Sequence, residues 1–131
     1  MCAAGVSLMS ASPAQAAWRT LAYVYGGKVQ YLACKTPEDG GYGPVWKITL
    51  VFATSPGYQG AADFRVWRNG QQVQYVPLSA GNGAWDVKVT YASRYWDDKW
   101  GANWGASPYG QSGVGGSVVN QVTSFSQISY C

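Results

Sequence analysis

At 131 residues the chain has the length of one domain, enough to bury roughly two thirds of the surface its unfolded form exposes. It carries 9 basic and 6 acidic residues, no histidine and a formal net charge of +3. No Lys/Arg run concentrates that charge, so no nucleic-acid partner is expected, and without histidine neither a Ser-His-Asp nor a Cys-His catalytic arrangement is possible. The charged share of 11% is about half the usual one, while 17 glycines and 15% aromatic residues favour strands and turns over helices.

Residues 1–16 read as the remnant of an export signal. They are small, apolar and uncharged, and Ala14-Gln15-Ala16 supplies an A-x-A cleavage pattern just before Trp18. The positively charged region that normally opens such a signal is missing, so the true start is expected upstream, with Met1 inside the apolar stretch. A secreted, extracellular domain spanning residues 17–131 is the expectation. No later segment approaches the roughly eighteen apolar residues of a membrane span.

Cysteine usage agrees. Of Cys2, Cys34 and Cys131, cleavage would remove the first and leave an even pair in an oxidising compartment. A Cys34–Cys131 disulfide closing a loop of roughly 100 residues would contribute somewhat over ~4 kcal/mol and tether the last residue of the chain. Two cysteines without histidine do not furnish a closed zinc site.

Along the chain, Leu21–Tyr25 and Lys28–Cys34 flank Gly26-Gly27 as a hairpin. The segment 35–44, KTPEDGGYGP, reads as a loop dense in turn formers. Over Val45–Ala53, Trp46, Ile48, Leu50 and Phe52 share one face of a strand, with Lys47 and Thr49 on the other along with Val45 and Val51. Residues 54–60 form another turn cluster. Asn69-Gly70 suits a type I′ hairpin, which sets Val66 opposite Val73 and Phe64 opposite Tyr75 on the core face, and Arg65 opposite Gln74 and Trp67 opposite Gln72 outside. Trp85, Val87, Val89 and Tyr91 alternate with Asp86, Lys88 and Thr90 as a half-buried strand. Within Ser117–Cys131, Phe125 breaks an alternation and suggests a bulge. About seven strands and no helix point to an all-β fold, a single-domain antiparallel β-sandwich of Ig-like layout, with a small closed barrel as the alternative.

The segment 93–116, SRYWDDKWGANWGASPYGQSGVGG, holds three of the 7 tryptophans. Neither a helical nor a strand period survives across it, which predicts a long aromatic loop, and loops of that length are usually functional or disordered. Disordered segments are poor in aromatics, which favours order and use. Trp67, Arg65, Arg94, Tyr95, Trp96, Trp100, Trp104 and Tyr109 are the candidate binding residues, because Trp, Tyr and Arg are the types enriched at binding hot spots. Trp46 and Trp85 are expected to be buried. Trp67 and at least one of Trp96, Trp100 and Trp104 are expected to be exposed.

Catalytic chemistry finds little support. The acids are Glu38, Asp39, Asp63, Asp86, Asp97 and Asp98, and those in turns or on polar strand faces are explained by solvation. Asp97, Asp98 and Asn103 carry oxygen ligands that calcium accepts, but the spacing matches no EF-hand and turn-forming acids explain it better. The glycines of 101–116 lack the context of a phosphate cradle. No metal and no cofactor are expected. The reading that remains is a non-catalytic, secreted adaptor or structural subunit, docking on another secreted protein in an assembly such as an antibacterial one. A carbohydrate-binding module, or a small toxin or inhibitor, is the alternative.

Overall fold

Turn chemistry fixes where the chain reverses. Asn69 and Gly70 take φ of +52° and +80°, as a type I′ turn requires, and Tyr25, Gly26 and Gly27 also adopt positive φ in the first hairpin. A computed structural model describes residues 18–41, 43–111 and 116–131. The export signal expected over residues 1–16 lies outside the described residues.

Between the turns run β1 (Arg19–Val24), β2 (Val29–Gly40), β3 (Gly43–Thr54), β4 (Tyr58–Arg68), β5 (Gln71–Gly81), β6 (Trp85–Ser93), β7 (Lys99–Pro108) and β8 (Gly116–Ser124). They form two four-stranded antiparallel sheets, ordered β1-β2-β3-β6 and β5-β4-β7-β8. The sandwich expected from the sequence is present, with eight strands rather than about seven. Short 3-10 turns occupy Tyr25–Gly27 and Phe125–Gln127. No helix among the described residues is long and apolar enough to cross a membrane.

The core lies between the sheets. Val29, Tyr31 and Ala33 of β2, Ile48, Leu50 and Phe52 of β3, and Phe64 and Val66 of β4 are fully buried. Period-2 alternation places each set on one face, as the sequence of β3 predicts. Gly60 is required here: a Cβ at that position would sit 2.8 Å from the Phe52 ring.

Four local expectations are corrected. The turn-rich segment KTPEDGGYGP is mostly strand, because β2 continues to Gly40 with Pro37 paired to Trp46 and Asp39 to Pro44. In the Asn69-Gly70 hairpin Trp67 does face Gln72, but a bulge at Val66/Trp67 shifts the rest by one residue. Phe64 therefore pairs with Val76 and Arg65 with Tyr75, which turns Val73 and Tyr75 outward. The segment after Arg94 does not stay irregular: β7 pairs with β4 on one side and β8 on the other. Near the C-terminus the alternation breaks at Phe125 because a 3-10 turn begins there, with Phe125 and Ile128 buried.

The last residues take the edge position that β1 vacates beyond Ala33. Lys35 N–H donates to the Ser129 carbonyl, Cys131 N–H donates to the Lys35 carbonyl, and the Cys34–Cys131 disulfide locks the pair.

Candidate functional site

The aromatic candidates divide according to what their strands do with them. After β6 the chain turns sharply through Arg94–Asp98, with Asp97 at φ +53°. Asp98 holds this turn from inside. Its buried carboxylate accepts Arg68 Nε and Nη2 at 2.9 Å each and the Ser93 N–H at 2.7 Å. That hydrogen bonding raises the Arg68 pKa above its ordinary value. The Ser93 hydroxyl accepts the Trp96 N–H at 3.0 Å, and Lys99 pairs with Asp97 at 2.7 Å. Tyr95 and Trp96 are thus exposed on a pinned turn, edge to face with ring centroids 5.1 Å apart. Arg94 leaves the turn to donate to the carbonyls of Val45 and Glu38, with its guanidinium 5.3 Å from the Trp46 ring.

The other candidates lie elsewhere. Trp100 is only 1% exposed and stacks on Phe64, so it is core rather than contact surface. Trp104 is half-buried and packs against the core. Tyr109 is exposed at the far end of β7, roughly 30 Å along the strand from Trp96. Trp67 is half-buried on the outer face of the second sheet, opposite Gln72 and Lys99, and Arg65 lies two residues before it on the same face. The fold therefore does not gather these residues into one patch.

Sequence reasoning missed an apolar surface by burying the wrong side of β6. Thr90 and Ala92 face the core, paired with Ile48 and Trp46, while Asp86 and Lys88 share their parity. The bulky Ile48 and Trp46 side chains take the space that larger β6 residues would need. Asp86 and Lys88 are used at the open edge of β5, where Ser79 N–H donates to the Asp86 carboxylate and Lys88 Nζ donates to the Pro77 carbonyl. The opposite parity is left outside: Trp85 is 58% exposed, Val87 52%, Val89 46% and Tyr91 48%. Trp85 was expected to be buried and is not. Trp46 is half-buried, packed edge-on against Tyr130 at 5.7 Å.

Register extends this stripe across the sheet. Leu32, Val51 and Val87 form one outward row, and Gln30, Ala53 and Trp85 the next; Tyr23, opposite Gln30, adds another exposed ring. Thr49 lies beside Val89 and Lys47 beside Tyr91. No acidic residue stands among the outward positions of β3 and β6. The turn bearing Tyr95 and Trp96 follows directly on this strand.

No family model, curated protein or solved structure matches the chain.

Two buried ionisable groups support the core behind this face. Lys35 Nζ lies between the rings of Trp46 and Tyr130, at 4.5 and 4.9 Å, and donates to the Phe125 carbonyl; burial pushes its pKa down. Tyr31 donates to the Asp63 carbonyl at 2.8 Å across the sandwich, and burial, reinforced by the Asp63 charge, raises its pKa far above 10.0. Above pH 10 the unfolded chain gives up this proton and the folded one keeps it, so stability falls by about 1.4 kcal/mol per pH unit. Removing the hydroxyl removes that slope. Chemical denaturation of the protein and of Tyr31→Phe should therefore show a gap that favours the unaltered chain near pH 8 and narrows by about 1 kcal/mol near pH 11. A gap constant with pH would mean that Tyr31 ionises as readily in the folded state.

Among the described residues no group of three or more Cys, Asp or Glu side chains gathers as metal ligands. Asp97 and Asp98 are each paired with a cation, and Asn103 is directed at Asp63.

Proposed function

We propose that this protein is a secreted, non-catalytic interaction module that docks on another secreted protein through the outer face of its first sheet. The observation that carries this reading is the outward stripe Trp85, Val87, Val89 and Tyr91, each about half exposed on an edge strand. Monomeric soluble domains rarely leave a contiguous apolar patch of this kind uncovered, and aromatic rings with few charges are the composition of interface centres. The four-stranded face measures roughly 30 by 20 Å, comparable with the ~800 Å² that each partner contributes to a standard interface. Tyr95 and Trp96 extend the surface at the end of β6, so part of the segment 93–116 retains the binding role its composition suggests. The paired Cys34 and Cys131 fit an oxidising compartment, which supports secretion.

The test is capture from the producing culture by the immobilised protein. One companion protein is expected to be retained by the unaltered chain and by Gln71→Lys, and lost with Val87→Lys/Val89→Lys, which places two ammonium groups inside the apolar stripe. Equal retention by the two lysine-bearing variants would overturn the assignment.

A further inference from the structure

The opposite face of the sandwich carries a second, chemically different feature. Outward residues of the second sheet form short rows fixed by register: Ala61 between Gly105 and Ser79, Asp63 between Asn103 and Pro77, and Arg65 between Gly101 and Tyr75. The small row Ala61, Gly105 and Ser79 flanks the polar middle row on one side and the row of Arg65 and Tyr75 on the other, and an open groove of about 520 Å³ lies over it, bordered by Asp86 and Lys88 of β6. That volume falls within the range of ligand sites, roughly 300–1,000 Å³.

We propose that this groove binds a neutral saccharide. Charge balance is the first reason. Asp63 pairs with Arg65 at 3.2 Å and Asp86 with Lys88 at 3.3 Å, so each carboxylate has its own cation and the site has no net demand for an ion. Hydrogen-bond inventory is the second. Asn103 Nδ2 donates to Asp63 at 3.0 Å while Arg65 donates to the same carboxylate at 3.2 and 3.3 Å, which fixes an array of acceptors and spare N–H donors. Holding the amide this way leaves Asn103 Oδ1 buried with no donor among the described residues. A purely structural asparagine would ordinarily have both ends paired. An apolar ligand would strip these groups of water without replacing their bonds.

The third reason is the ring. Arg65 sits 5.2 Å from the Tyr75 centroid, which steadies an aromatic side chain that is still half exposed beside the polar row. A sugar presents hydroxyls at its edge and C–H groups on its face, and so uses both halves of such a site. An added peptide strand does not fit. On the open edge of β5, Ser79 N–H and the Pro77 carbonyl are already capped by Asp86 and Lys88, and Pro77 has no N–H to offer. With the docking face on the other sheet, the module would join a protein partner to a glycan.

Titration of the isotopically labelled protein with chitotetraose, cellotetraose and maltotetraose, and with anionic tetragalacturonate, tests the assignment by NMR. At least one neutral tetrasaccharide is expected to shift the amides of Asp63, Tyr75, Ser79, Asn103 and Gly105, with Kd at or below about 1 mM. Tyr75→Ala, with an unchanged melting temperature, should weaken it about tenfold. The proposal is overturned if none of the three neutral sugars moves those amides, if tetragalacturonate binds more tightly than all of them, or if Tyr75→Ala binds as the unaltered chain does.

Discussion

Trp100→Ala is expected to lower the free energy of unfolding by about 3–5 kcal/mol, whereas Trp96→Ala should change it by no more than about 0.5 kcal/mol. The two tryptophans stand four positions apart in one aromatic segment, so the contrast is a test of placement. Trp100 stacks on Phe64 with centroids 5.6 Å apart and planes 8° from parallel, and the Phe64 ring in turn lies tilted beside Phe125 with centroids 6.4 Å apart. Its indole N–H donates to the Ser124 carbonyl at 3.0 Å, joining β7 to the end of β8. Truncation would open a cavity that neighbours in two strands and a 3-10 turn cannot fill, and would leave that carbonyl unpaired. Urea denaturation of both variants measures the difference. A Trp100→Ala variant within about 1 kcal/mol of the parent would contradict its place in the core.

Loss of the disulfide should have an effect of similar size. Cys34 and Cys131 are 97 positions apart, and in the chain-entropy model a bridge over such a loop stabilises by over ~4 kcal/mol. More than entropy is involved here. The bridge secures two backbone hydrogen bonds between Lys35 and residues 129 and 131, and holds Tyr130 against Trp46 and Lys35. The double variant Cys34→Ala/Cys131→Ala should therefore lose about 4 kcal/mol and change its tryptophan emission, because the Tyr130 ring no longer covers Trp46. A loss below about 1 kcal/mol would show that the C-terminal strand is held without the bridge.

What the sequence conveys depends on how strongly each strand marks its two sides. β3 was legible because Trp46, Ile48, Leu50 and Phe52 oppose Lys47 and Thr49. The Asn69-Gly70 turn was legible because few residues accept positive φ at both centres, yet the bulge beside it left no mark and flipped Val73 and Tyr75 outward. β7 went unread although its alternation is regular. Trp100, Ala102, Trp104 and Ala106 point one way and Gly101, Asn103, Gly105 and Ser107 the other, but alanine is a weak apolar signal and glycine usually marks a break. β6 shows the deeper limit. Its alternation was plain, and the rule that the apolar side faces in selected the wrong side. Thr90 and Ala92 face the core because β3 supplies the bulk, and Asp86 and Lys88, of the same parity, turn to the edge of β5, which supplies their hydrogen-bond partners. On the proposed reading, an apolar side kept outward for a partner breaks the local rule at the place where it would work.

The groove of the second sheet was illegible for a different reason. Asp63, Asp86 and Asn103 are far apart in the chain; the register of β4 with β7 pairs Asp63 with Asn103, and the contact of β6 with the edge of β5 brings Asp86 to the rim. Nothing in their local spacing distinguishes them from solvated turn and strand residues.

A photo-crosslinking amino acid placed at position 89, in the middle of the exposed stripe, tests the docking face most directly. Irradiation in the producing culture should give one discrete adduct with another secreted protein, and the same probe at position 71 should give none. Adducts from position 71 but not from 89, or adducts at 89 only between copies of this chain, would contradict the assignment of that face to a partner.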